Sequence, residues 1–204
     1  MELHALMGFR WTILILGVVL LTAACQTDQQ QPQDMDDAGG TAVLEQKHVV
    51  PAFSGSDQAG MEFTSVVLKG KPWIGSFFFT TCTTVCPALN AVQSELQRAY
   101  GSKVSFVSIS TDPDNDTTEA LAAYAASFGA QPGAWWMIRM PSDSMRAIAT
   151  KGFMLMDPEQ PDMHSTRLVA VDADMTVVGY FDSTDSTHLT ELRTWINSLP
   201  STPH

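Results

Sequence analysis

The chain has 204 residues, 45% of them hydrophobic and 16% charged. That is room for one ordinary domain with its own core, and too apolar for a disordered chain. Eleven Lys and Arg stand against 22 Asp and Glu, a net charge of −11. No basic stripe relieves that balance, so nucleic-acid binding is excluded. Three cysteines are too few for a multi-disulfide scaffold, and their positions matter more than their number.

Residues 1–24 read as a signal peptide of the lipoprotein type. Arg10 precedes an apolar run from Trp11 to Ala24, shorter than the ~20 residues a membrane-spanning helix needs. A basic flank, a short apolar run and small residues before a cut site describe a secretory signal. The segment Leu21-Thr-Ala-Ala-Cys25 resembles the lipobox of bacterial lipoproteins, which makes Cys25 the expected lipidated residue. A threonine stands three places before that cysteine, where a large aliphatic residue is usual; an uncleaved N-terminal anchor is the alternative. Either way the folded part is expected on the extracytoplasmic, periplasmic face of a bacterial membrane. Residues 25–47 follow as a linker rich in Gln, Asp, Gly and Thr, unable to bury enough surface to offset the entropy of ordering it. One domain is expected over residues 48–200.

Within it, Val49 to Phe53 and Met61 to Leu68 read as short strands, and Trp73 to Phe79 as a central strand covered on both faces. Val85, Leu89, Val92, Leu96 and Ala99 mark one helix face, stopped at Gly101. Val104 to Ile109 is a second buried strand. Thr117 or Thr118 caps a helix whose apolar face is Leu121, Tyr124 and Phe128. Trp135 to Met140 is a third strand, and Ser142 caps a short helix reaching Lys151. Thr166–Asp172 and Thr176–Phe181 flank the turn Ala173-Asp174 as a hairpin. Ser186 caps the last helix, with Leu189, Leu192, Trp195 and Ile196 facing inward. The order predicts an α/β domain of thioredoxin-like layout: a central mixed sheet flanked by helices, with an added N-terminal β-hairpin.

Cys82 and Cys86 fall where the central strand ends and the first helix begins, the usual place for a site in an open α/β sheet. Helix-terminal amides favour a thiolate there. A spacing of four puts both sulfurs on one side of a turn, close enough to bridge or to share a metal. Three intervening residues, rather than two, set the pair apart from the Cys-X-X-Cys redox motif.

The chain resembles the SCO/SenC family of copper-handling proteins. The resemblance lies in Phe79-Thr-Thr-Cys82-Thr-Thr-Val-Cys86-Pro87, in Ser110-Thr-Asp-Pro-Asp-Asn-Asp-Thr117, in Met163-His164-Ser165 and in the lead-in Lys69-Gly-Lys71. It implies one copper ion held by Cys82, Cys86 and His164, a Cys82–Cys86 disulfide when oxidised, and a role in assembling the dinuclear copper centre of cytochrome c oxidase. It also implies partners: a copper-accepting membrane protein such as cytochrome c oxidase subunit II, and a thioredoxin-like reductant. The donor chemistry agrees, because thiolates select Cu(I) while imidazole also accommodates Cu(II).

His48, His188 and His204 read as surface residues. His164 differs in preceding a strand whose entering loop faces the cysteine turn in thioredoxin-like folds. Met137 and Met145 read as packing, and Met154, Met156 and Met163 as residues that could contact a partner. Asp112-Pro113 reads as a turn and Asp116-Thr117 as a helix cap, rather than a hard-cation site shared with Asp114. The expectation is a membrane-anchored copper metallochaperone. Its rivals are a thiol–disulfide oxidoreductase that keeps partner cysteines reduced, which would not need His164, and a redox or copper sensor.

Overall fold

Strand β4 (Trp73–Phe78) is the centre of the sheet, and all six of its residues are buried. The computed structural model describes residues 48–155 and 165–200; the expected signal peptide, Cys25 and the expected linker lie outside them. The main sheet has the order β1-β8-β7-β4-β5-β6, with β1 His48–Val49, β5 Ser105–Ser110, β6 Trp135–Ile138, β7 Arg167–Val171 and β8 Thr176–Asp182. β4, β5 and β6 run parallel, joined by helices α1 (Val85–Tyr100) and α2 (Thr118–Phe128). β7 and β8 return antiparallel after α3 (Ser142–Ala147). Helix α4 (Ser186–Ser198) closes the chain. The expected thioredoxin-like α/β class, a mixed sheet between helices, is what the chain adopts. Among the described residues no helix is long and apolar enough to cross a membrane.

Alternation along the strands divides the core in two. Trp73 and Phe77 pack with Val107, Ile109, Ile138 and Phe153 on one face, joined by Met145 of α3 and Phe53 of the N-terminal segment. Ile74 and Phe78 pack on the other with Phe106, Trp135 and Met137, beneath Leu89 and Leu96 of α1, Leu121 of α2 and Leu192 of α4. Met137 and Met145 are therefore packing residues, as expected. Gly75 is required by this packing: a Cβ there would stand 2.9 Å from Phe153 Cζ.

The N-terminal hairpin is real but shorter than the apolar runs suggest. Its strands are β2 (Ser54–Ser56) and β3 (Glu62–Thr64). Val49 belongs to β1, which pairs with β8, and Pro51 cannot donate a ladder hydrogen bond. Val66 and Val67, read as strand, lie on a 3-10 turn (Ser65–Leu68) at 60% and 58% exposure. The hairpin docks on the sheet edge, where Ser56 and Arg139 exchange backbone hydrogen bonds of 2.9 Å. Gly55 permits this approach, since a Cβ there would meet the Arg139 carbonyl oxygen at 2.3 Å.

Two caps differ from expectation. Thr117 caps α2 as read, accepting from Ala120 N. The last helix is capped by Asp185, whose carboxyl takes the amides of Thr187 and His188, rather than by Ser186. Ser142 is the first residue of α3 and caps nothing. Wider α-helical spacing continues α3 through the π turn Ile148–Gly152, so the helical stretch does reach Lys151.

Candidate functional site

β4 delivers the chain to the turn Phe79–Thr84, and α1 begins at Val85. Thr84 makes no side-chain cap for α1. The vacancy is filled by sulfur: the Cys86 amide donates to Cys82 Sγ at 3.4 Å, and the Thr84 hydroxyl lies 3.8 Å from the same sulfur. Cys82 thus occupies the N-terminus of a 16-residue helix, where unpaired amides and the helix dipole favour negative charge.

The two thiols are chemically unlike. Both are free and buried, at 7% and 4% exposure. Burial raises the Cys82 pKa, but hydrogen bonds from the Cys86 thiol and amide and from Thr84 outweigh it and bring the thiol to about 7. Burial pushes Cys86 up, and its hydrogen bond to Cys82 pushes it further, to about 12. One sulfur is a nucleophile near neutrality; the other keeps the proton it shares. At pH 7 iodoacetamide should therefore alkylate Cys82 and spare Cys86, at a rate rising with pH through about 7 as the thiolate fraction grows. Mass mapping after a brief pulse checks this, and equal labelling of both cysteines would contradict it.

The turn is braced from β5. Asp116 is fully buried; its Oδ1 accepts from Thr80 N at 3.0 Å and from the Thr80 hydroxyl, and its Oδ2 accepts from the Ser110 hydroxyl. Asp112 shapes the preceding turn, its carbonyl accepting from Asn115 N and Asp116 N and its carboxyl from Asn115 Nδ2. The sequence reading made Asp116 part of the helix cap; Thr117 alone caps, and Asp116 points back to hold the cysteine turn. Its signal was the hydroxyl-rich ends of two adjacent parallel strands.

Sequence reasoning also missed Asn90, Gln93 and Tyr124 as neighbours of the pair. Asn90 Nδ2 donates to the Cys86 carbonyl at 3.0 Å and to Tyr124 Oη at 3.1 Å. Asn90 and Gln93 are fully buried, at the helical spacing of Cys86 and Leu89, which was the available signal.

Cys25 and His164 lie outside the described residues, as do Met156, Met163 and His204. Among the described residues no group of three or more His, Cys, Asp or Glu could hold a metal. Met154 is 59% exposed. His48 bonds the Lys151 carbonyl at 2.7 Å, and His188 Nδ1 accepts from Asp182 N at 3.2 Å; both have structural partners. The donor set that remains, two soft thiols side by side with the start of β7 nearby, fits a soft metal ion. The antiparallel register Trp73↔Val171 and Gly75↔Val169 brings the beginning of β7 to the sheet end where β4 enters the cysteine turn.

A parallel three-strand unit extended by an antiparallel hairpin, with paired thiols entering the first helix, defines the thioredoxin-like class. The SCO1/SenC family model matches residues 41–196, and the chain belongs to that family. It is 30% identical over 146 residues to a SCO1 protein homolog of Bacillus subtilis (strain 168), covering 68% of this chain and 76% of that one. It is similar in structure to a SCO1/SenC family lipoprotein from Bacillus anthracis str. Ames, with TM-score 0.67 and 25% identity over 76% of this chain and 98% of that one. ScoI of Bradyrhizobium japonicum, solved with copper bound, superposes with TM-score 0.58 and 25% identity over 72% and 99% of the two chains.

Proposed function

We propose that this chain is a membrane-anchored copper metallochaperone, with residues 48–200 as its copper-binding domain. It binds one copper ion through Cys82, Cys86 and His164 and delivers it during assembly of the dinuclear copper centre of cytochrome c oxidase. The observation that carries the reading is the thiol pair at the α1 N-terminus, one sulfur at about 7 and the other beside it. The copper-bound ScoI of Bradyrhizobium japonicum supports copper as cargo. The register that brings the start of β7 to the cysteine turn supports His164, three residues before Arg167, as third ligand. Capture replaces the Cys86 proton with the metal, because only the thiolate ligates, so apparent affinity rises with pH. Transfer then proceeds by ligand exchange with the acceptor.

The reading extends to the N-terminus: residues 1–24 as signal, Cys25 as the lipidated residue and 25–47 as a leash. The Bacillus anthracis relative, a lipoprotein, supports this. An anchor and flexible leash confine the site to the membrane plane and let it turn to its acceptor. The mass of the chain extracted from membranes tests it; an unprocessed N-terminus would rule lipidation out.

A second reading is favoured by the low Cys82 pKa: a thiol–disulfide oxidoreductase that keeps partner cysteines reduced. His164 separates the two. Removing the imidazole takes away one metal ligand and leaves both sulfurs free to exchange. His164→Ala should weaken copper affinity at least about tenfold, by comparison with the ~10–100-fold losses from outer-shell changes alone, while the rate of disulfide reduction stays near that of the wild type. Copper affinity unchanged in the variant would move the reductase ahead.

A further inference from the structure

Beneath α1 runs a buried polar chain that neither copper nor thiol chemistry has used. Asn90, Gln93, Ser76 and Ser108 are all fully buried. Proton donors can be assigned throughout. Trp135 Nε1 donates to Ser108 Oγ at 2.9 Å, and Gln93 Nε2 donates to Ser108 Oγ at 3.2 Å and to Asn90 Oδ1 at 2.9 Å. The Ser76 hydroxyl donates to Gln93 Oε1 at 3.2 Å, which leaves Ser108 as the donor in the 2.9 Å contact between the two serines. Both protons of Asn90 Nδ2 are then spent on the Cys86 carbonyl and Tyr124 Oη. The chain has one direction, and its end is the backbone of Cys86.

Tyr124 is fixed from its other side by stacking on Phe78, ring centroids 5.2 Å apart and 21° from parallel. Asn90, four residues on from Cys86 along α1, is thereby tied to Tyr124 of α2 and, through Gln93, to Ser76 of β4 and Ser108 of β5, which restrains the first turn of the helix. A disulfide brings two sulfurs to about 2.05 Å with a restricted dihedral, and any shift of the Cys86 backbone toward Cys82 that accompanies it would pull against this tie. The buried groups are satisfied in the dithiol geometry, and a displaced carbonyl would leave Asn90 with an unmet donor in a dry interior.

We propose that Asn90, braced by Gln93 and Tyr124, is a positioning residue that holds Cys86 in the dithiol geometry and so biases the Cys82–Cys86 equilibrium against the disulfide. The proposal rests on the reading of the two cysteines as the reactive pair. With glutathione disulfide as oxidant, the Cys82 thiolate attacks one glutathione sulfur and expels the other glutathione as a thiolate, which takes up a proton. Cys86 then gives up its proton and attacks the mixed disulfide, releasing the second glutathione. Two electrons and two protons leave the protein for two glutathione thiols.

The test equilibrates the wild-type domain, Asn90→Ala, Tyr124→Phe and Ser94→Ala in glutathione buffers of graded ratio. Oxidised fractions are read by mass after acid quench and alkylation, and melting temperatures of both redox forms are taken. Tyr124→Phe keeps the ring on Phe78 and removes one hydrogen bond, so the equilibrium constant should shift about fivefold toward the disulfide, the equivalent of one typical hydrogen bond. Asn90→Ala should shift it further. Ser94→Ala, which deletes a hydroxyl in the second half of α1 bonded to the Phe128 carbonyl at the end of α2, should leave it unmoved. If Asn90→Ala does not fold, Tyr124→Phe decides alone. An unshifted constant with equal loss of melting temperature in both redox forms overturns the proposal and makes the chain merely structural. A wild type that forms no disulfide in any buffer overturns the reactive-pair reading itself, which is a different result.

Discussion

Cys82→Ser and Cys86→Ser should each cost the reduced domain more than about 100-fold in Cu(I) affinity, since loss of outer-shell partners alone costs ~10–100-fold. A hydroxyl is a hard donor that stays protonated at neutral pH, so the site loses both softness and charge. The two variants should differ in their remaining thiol. In Cys86→Ser, Cys82 keeps the helix N-terminus and the Thr84 contact, and the serine hydroxyl can replace the thiol as hydrogen-bond donor, so its pKa should stay near about 7. In Cys82→Ser, Cys86 loses the neighbour that raises it and should fall below about 12. Competition against a Cu(I) chelator reads the affinities, and thiolate absorbance against pH reads the titrations. A serine variant with wild-type affinity would contradict the site.

Asp116→Ala should destabilise the domain by about 2–4 kcal/mol, because the Thr80 amide and hydroxyl and the Ser110 hydroxyl lose their acceptor in a buried place. The effect reaches the site through Thr80, two residues before Cys82. Asp116→Asn should recover part of the loss, since one amide oxygen still accepts while the NH2 faces former donors. Urea unfolding measures this: the midpoint should fall with the slope unchanged. A midpoint within experimental error of the wild type would show that the carboxyl does not hold the turn.

The elements legible in the sequence were those whose burial is apolar and regular. β4 and β7 have nearly continuous apolar runs because both faces are covered, and β5 interleaves Phe106, Val107 and Ile109 with small buried serines, so their strand assignment followed. Thr117 was legible as a cap because its hydroxyl serves its own helix. Val66 and Val67 misled, since β-branched residues were read as strand where the chain turns with both side chains in water. Helix α1 was found with its face rotated. Ala99 is exposed and Val85 and Val92 half-buried, while Asn90, Gln93 and Gln97 are inside. Hydrophobic periodicity cannot see a buried amide, whose satisfaction depends on Ser76, Ser108 and Gly129 far away in sequence. Asp116 was hidden for the same reason, its partner Thr80 lying 36 residues away. The cysteine pair was legible because its position at a strand-to-helix turn is local.

The measurement that bears most directly on the copper-carrier account is a Cu(I) titration of the wild-type domain in two states, fully reduced and fully oxidised. The account predicts one equivalent bound tightly by the dithiol form, with proton release as Cys86 gives up its thiol proton, and none bound by the disulfide form. Equal uptake by both forms, or no uptake by the reduced one, would contradict it.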